Sequence, residues 1–288
     1  MTFALEQTPD GVDLVVTGGW SSDAEACLFD GRADGLVLNY ARGYREQSLS
    51  FLKGLPVRRL HVLARTVTDL SPMYGLADRL VSLRVQSDPR ATIELERLPQ
   101  LRTLSATWQQ VRDSIMFAQR LERLFLLSYT ERDLTPLTSV SSLVSVVMKD
   151  YPAVESLDGV EDLPLLIELG VHLAKKLEDI TALTRSASAV LETLQLPACR
   201  NVTDIRPVAS IAALRFFELS DAGDVPTVAP LAGLSLLERL YLYGSTKVVN
   251  GDLGPIAGLP RLRDFRMQSR REYSPPVKDI QDAIERRG

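Results

Sequence analysis

The residue types best suited to chemistry are few. Among 288 residues there are two histidines, His61 and His172, and two cysteines, Cys27 and Cys199. Such side chains serve as metal ligands, nucleophiles or general bases only with partners at short, fixed spacings. The sequence has no Cys-x-x-Cys, no His-Glu-x-x-His, no Gly-x-Ser-x-Gly and no glycine-rich phosphate loop. Gly18-Gly19 reads as a turn. The 37 Asp and Glu residues include no pair set apart by a catalytic spacing. The expectation is a chain that is not an enzyme, with no catalytic, cofactor-binding or metal site and no cofactor. The two cysteines, far apart in the chain, suggest buried, inert thiols rather than a disulfide.

Bulk properties narrow the partners. Hydrophobic residues make up 45% and charged residues 24%, a globular balance. The net charge of −4 and pI of about 5.4 argue against nucleic acid, which calls for a basic stripe, and against a polybasic membrane surface. The opening residues Met1 to Glu6 lack a basic stretch leading into an apolar run, and no apolar stretch is long enough to span a bilayer. A cytoplasmic location is expected.

The elements that would carry any site are set by a repeat. Leu-x-x-Leu-x-Leu is clear at Leu121–Leu124–Leu126, Leu191–Leu194–Leu196 and Leu237–Leu240–Leu242, with Phe217 in the central place of Leu214–Phe217–Leu219. Weaker copies begin at Val57, Leu80, Leu101, Leu143, Leu166 and Leu262, and a degenerate first copy begins at Ala33. The central apolar residue falls at 36, 60, 83, 104, 124, 146, 169, 194, 217, 240 and 265, always 20 to 25 residues after the last. Alternating apolar residues suit a short strand with one buried face. A second pattern lies between the strands, as in Asp69-Leu70-Ser71-Pro72, Asp133-Leu134-Thr135-Pro136 and Asp204-Ile205-Arg206-Pro207. Apolar residues three apart after it (Ile205, Val208, Ile211) suit a 3-10 turn, where proline is tolerated early.

These two patterns resemble the leucine-rich-repeat family, in its short-repeat, internalin-like class, over about residues 33–270. The resemblance implies an α/β solenoid with a curved parallel sheet on a concave face and short 3-10 or α turns on the convex face. Where the family places an asparagine after the strand, this chain has Asp88, Gln109, Tyr129, Tyr151, Cys199, Ala222 and Ser245, of which only cysteine is a familiar substitute.

The ends read as caps. Residues 1–32 hold a hairpin about Pro9-Asp10-Gly11 and a helix N-capped near Ser21 and closed by Gly31, with Trp20 and Cys27 sealing the first layer. Residues 33–270 carry about ten to eleven repeats. Residues 271–288 form a capping helix with Val277, Ile280 and Ile284 on one face.

In each Leu-x-x-Leu-x-Leu-x, the third, fifth and seventh residues point away from the core. Those positions, with residues at the strand ends, give the expected partner-binding face: Arg84, Trp108, Arg123, Phe125, Val147, Lys149, Tyr151, Glu168, Phe216, Glu218, Arg239, Tyr241, Tyr243 and Arg266. Tyr129 and Asp221 lie near the same edge. Aromatics and arginines dominate interface energetics, and charges of both signs suit a protein better than a polyanion. Aromatic residues on a sheet face also serve plain cross-strand packing. The leading expectation is a non-catalytic protein-binding scaffold or adaptor using the concave face. The alternatives are an immunity or antitoxin-like protein that neutralises a toxin, and an internalin-like surface adhesin fragment. The protein partner's identity and the oligomeric state are left open.

Overall fold

The computed structural model describes residues 2–185 and 190–287. The chain divides into two compact units, Met1–Leu126 and Leu127–Gly288.

The first unit opens with a hairpin. Strands β1 (Phe3–Thr8) and β2 (Gly11–Val16) pair antiparallel, with Thr8 opposite Gly11 across the Pro9-Asp10 turn. Helix α1 (Ser22–Phe29) follows; the Ser21 hydroxyl accepts from the Ala24 amide at 3.3 Å, and Gly31 leaves the helix at φ +70°. Trp20 stacks on Phe51 with ring centroids 4.3 Å apart, and Cys27 is buried. Parallel strands then succeed one another in chain order: β3 (Gly35–Asn39), β4 (Arg59–Leu63), β5 (Ser82–Gln86), β6 (Thr103–Thr107) and β7 (Arg123–Leu127). Their register is one-to-one, so Leu36, Leu60, Leu83 and Leu104 form a single row. Each repeat alone would leave that row in water; stacking buries it. Short helix α2 (Trp108–Val111) leaves β6 without a break, with Thr107 and Gln110 bonding reciprocally in a capping box.

Gly35 opens β3 for a steric reason. A Cβ there would lie 1.8 Å from the Asp13 carboxylate, which Arg59 holds at 2.9 Å. Arg59 also pairs with Asp34 at 2.8 Å, so one guanidinium ties the hairpin to the first repeats.

In the second unit, β8 (Ser145–Lys149), β9 (Glu168–Val171), β10 (Thr193–Gln195) and β11 (Phe216–Glu218) are parallel neighbours. A two-residue strand β12 (Asp224–Val225) precedes β13 (Arg239–Leu242), and β14 (Lys247–Val248) follows it. β11 pairs with β13, while β12 and β14 pair separately, a second small ladder that the repeat pattern does not announce. Helical turn α3 (Gly254–Ala257) leads to β15 (Asp264–Met267), and α4 (Val277–Glu285) closes the chain. Val277, Ile280 and Ile284 of α4 are buried, and Gln281 donates to the Phe265 carbonyl on the outer edge of β15 at 3.1 Å.

The inward rows are almost sealed from water; Leu169, Leu194, Phe217 and Leu240 are each 0% exposed. Between strands, the Asp pattern has a direct cause. Asp69, Asp133, Asp179, Asp204 and Asp252 each accept from the amide two residues on, at 2.8–2.9 Å, which starts a 3-10 turn or, after Asp252, the short helix α3.

A backbone column distinguishes the two units. Four residues after the central apolar residue, the chain turns left-handed at Ser128, Asp150, Leu173, Ala198, Asp221 and Gly244, with φ between 52° and 73°. The amides of Ser128, Leu173, Ala198 and Asp221 donate to the next repeat, on Lys149, Pro197, Ser220 and Tyr243. The matching Ala64 amide of the first unit donates to the Gln86 carbonyl at 3.1 Å without a left-handed turn, so the bond is common to both units and the backbone conformation is what differs. The matching positions of the first unit are not left-handed.

The missing asparagines are replaced piecemeal. The Cys199 thiol donates to the Val171 carbonyl at 3.1 Å and the Tyr129 hydroxyl to Asp133 at 2.8 Å. Thr246, one place beyond Ser245, donates to Leu219 and accepts from Ala222. Gln110, one place beyond Gln109, donates to Ser87 and Ala91. Among the described residues, no helix is long and apolar enough to cross a membrane.

Candidate functional site

The strands' outward positions form an open face on each unit. In the second unit its densest part lies on β11, β13 and β15. The Arg239 guanidinium sits 4.2 Å above the Phe216 ring, and Phe216 meets the edge of Tyr241 at 4.9 Å. Arg266 covers the other side of Tyr241 at 4.4 Å. The Tyr241 hydroxyl donates to Asp264 at 2.5 Å, and Arg266 closes the group by pairing with Asp264 at 3.1 Å. Burial pushes the Asp264 carboxyl up, but hydrogen bonds from Arg266 and Tyr241 outweigh it and hold the group below the usual carboxylate range. Burial, then the bond to Asp264, raises Tyr241, so its hydroxyl stays a donor. Neighbouring acids are also engaged: Glu218 accepts from Gln195 at 3.0 Å and Glu168 from Ser145 at 2.6 Å.

Phe216 corrects one expectation. It occupies an outward sheet position, yet it is only 6% exposed. Arg239 and Tyr241 roof it, so any partner meets those two side chains and not the ring beneath. Tyr243 and Tyr151 are the open aromatics, 62% and 57% exposed. Tyr151 is left-handed at φ 55° and carries the Lys175 ammonium 4.7 Å from its ring. Val147 is half-buried, and Lys149 lies exposed at the end of β8.

Trp108 is a second correction. The sequence places it at the outward edge, but the structure buries it to 2% exposure. The reason is the Thr107–Gln110 capping box: a helix begins where a strand would continue, and its first residue swings beneath the sheet. Tyr129 is likewise buried in its turn, whereas Asp221 stays exposed and accepts from the Ser245 amide at 3.1 Å.

In the first unit, Arg84 and Arg123 are exposed and Phe125 is half-buried. Arg84 and Arg123 border a depression of about 590 Å³ that also takes in Arg58, Arg59, Ser82 and Thr103. Arg58 was not singled out in the sequence. Its signal is registral: it stands one place before the outward row, as Arg102 does in a later repeat. His61, beside Arg84, is held below the usual histidine range by burial and then by that guanidinium. His172 lies beside Gly170 in the second unit; burial, then the Lys149 ammonium, lowers it to about 4. Among the described residues, no group of three His, Cys, Asp or Glu side chains could hold a metal ion.

Solved structures share this arrangement. The internalin InlF of Listeria monocytogenes matches over 90% of this chain and 83% of its own, at 17% identity and a TM-score of 0.55. The fold is that of a leucine-rich-repeat protein. The functional domain of InlJ from Listeria monocytogenes matches over 88% of this chain at 19% identity and a TM-score of 0.56; the match spans 52% of that chain. At these identities the likeness is one of fold. No protein-family model and no curated protein matches the sequence. The leucine-rich-repeat fold accounts for the strand rows, the 3-10 turns and the outward face, and it leaves the chemistry of that face to the particular side chains.

Proposed function

We propose that this chain is a non-catalytic protein-binding scaffold that holds its partner on the open face of the leucine-rich-repeat sheet. The observation that carries the reading is the Arg239–Tyr241–Arg266 group with Tyr243 beside it. Arg239, Tyr241 and Arg266 stand at solvent-facing sheet positions, preorganised by contact with Phe216 and with one another and by the bonds to Asp264, and exposed Tyr243 follows at the end of the strand. Side chains already fixed lose little entropy on binding, and these types are enriched at binding hot spots. Their mixture with Glu218 and Asp264 favours a protein surface over a polyanion. Repeat proteins of this kind act through such faces, which supports a binding role over a catalytic one.

The test is a comparison of captured proteins from a source-cell lysate, using wild type and an Arg239→Ala/Tyr241→Ala/Tyr243→Ala variant of unchanged circular dichroism. Loss of a specific partner from the variant supports the reading. A partner retained in full by this variant and by variants across both open faces overturns it.

A further inference from the structure

The open face of the first unit differs in charge from the rest of the molecule. Along β4 to β7 its outward residues include Arg59, His61, Ser82, Arg84, Thr103, Ser105 and Arg123, and no carboxylate. This occurs in a chain whose net charge is −4. The depression there is lined by Arg58, Arg59, Arg84, Arg102 and Arg123 against Asp10, Asp34 and Glu122. Two of those arginines are committed within the fold, Arg59 to Asp13 and Asp34 and Arg102 to Glu122. Arg58, Arg84 and Arg123 have no ion-pair partner among the described residues, and Arg84 and Arg123 are exposed in the lining of the depression. His61 beside Arg84 is kept neutral and so does not add to the charge.

We propose that this depression receives an acidic segment of a protein partner, with carboxylates on the Arg84 and Arg123 guanidiniums. The inference rests on the protein-binding reading above and deepens it by stating the partner's chemistry. A guanidinium presents a planar fork of donors that matches a carboxylate in two parallel bonds. Ser82 and Thr103 supply hydroxyls between the two forks, for the segment's backbone or side-chain acceptors. Arg84 and Arg123 stand two strands and about two residues apart, roughly 12 Å from the spacings of a sheet, which an extended segment spans in three to four residues. A nucleic-acid backbone suits the site less well. Its phosphates recur without interruption and favour a continuous basic track, whereas here Asp10, Asp34 and Glu122 interrupt the arginines and no lysine lines the depression.

The experiment measures binding of dye-labelled probes to the full chain by fluorescence anisotropy at low and high salt. The probes are a short Glu/Asp/Ser peptide, its Gln/Asn/Ser counterpart, and a single-stranded DNA oligomer of equal charge. The expected result is binding of the acidic peptide alone, weakened by salt, and weakened about tenfold or more in Arg84→Gln/Arg123→Gln. Arg84→Lys/Arg123→Lys keeps the charge and loses the fork, and should fall between the two. Both pairs are exposed, so circular dichroism should not change. Three outcomes overturn the proposal: no binding of the acidic peptide, binding undiminished in Arg84→Gln/Arg123→Gln, or DNA bound as tightly with the same loss in that variant. Should the peptide fail while partner capture still depends on Tyr241, the acidic-segment inference falls and the protein-binding reading stands.

Discussion

The left-handed column in the second unit predicts opposite signs for two substitutions of the same small size. Gly244→Ala adds a Cβ at φ 73°, 2.1 Å from the Asp221 carboxylate oxygen. The left-handed conformation costs a non-glycine residue about 1–2 kcal/mol. Displacing Asp221 also strains its bond from the Ser245 amide, worth about 1 kcal/mol. The sum is a loss of about 2–3 kcal/mol. Ala198→Gly, at the equivalent place with φ 58°, releases the same conformational strain. It adds freedom to the unfolded chain at a cost of about 0.5–1 kcal/mol. The net result is neutral to a gain of about 1.5 kcal/mol. Urea unfolding followed by circular dichroism reads both, as midpoint shifts at constant slope. If Ala198→Gly destabilised by about 1 kcal/mol, as in an ordinary strand, or Gly244→Ala were neutral, the account of these turns would be refuted.

Three further outcomes can be checked. His172 has a folded pKa of about 4, below its ordinary 6.5, so its contribution to stability is complete above about pH 6.5 and is lost as pH falls toward 4. Its partial exposure limits the effect to about 1–2 kcal/mol; His172→Gln should flatten the acid limb of the stability profile, and an unchanged limb would show that other groups set it. The Cys199 thiol, buried and pushed up to about 12 by its surroundings, should resist iodoacetamide in the folded protein and react only on unfolding, as mass spectrometry of labelled peptides would record. Gln110→Ala strands the Ala91 carbonyl and the Ser87 hydroxyl and should cost about 2–3 kcal/mol in urea unfolding, whereas exposed Gln109→Ala should cost almost nothing.

The repeat was legible because it is a matter of period. Leu36, Leu60, Leu83 and their successors announce the buried rows, and the Asp-x-x-Pro pattern announces turns whose first bond is local. The apolar face of α4 was legible for the same reason, since Val277, Ile280 and Ile284 lie on one face by spacing alone. What escaped the sequence depends on partners a repeat away. Phe216 loses its exposure to Arg239, 23 positions on, whose side-chain orientation no periodicity encodes. Trp108 turns inward because of a capping bond between Thr107 and Gln110 at a place where strand and helix signals overlap. The left-handed column has no residue type common to all its places: Ser, Asp, Leu, Ala, Asp and Gly occupy it, so side-chain pattern gives no sign of it. Substitutes for the asparagine ladder were invisible for a related reason, as Gln110 and Thr246 stand one place off the family's register.

Helix α4 has a consequence for the strand it covers. A parallel stack has no intrinsic length, and each finished repeat presents the next with a row of backbone acceptors and an apolar floor. Here Gln281 occupies the Phe265 carbonyl, and Val277, Ile280 and Ile284 cover the floor. Arg287 reaches back to the carbonyls of Leu259 and Ala257 in the preceding turn. The helix thus shields an edge: without it, β15 becomes a template on which another chain's strand can be laid.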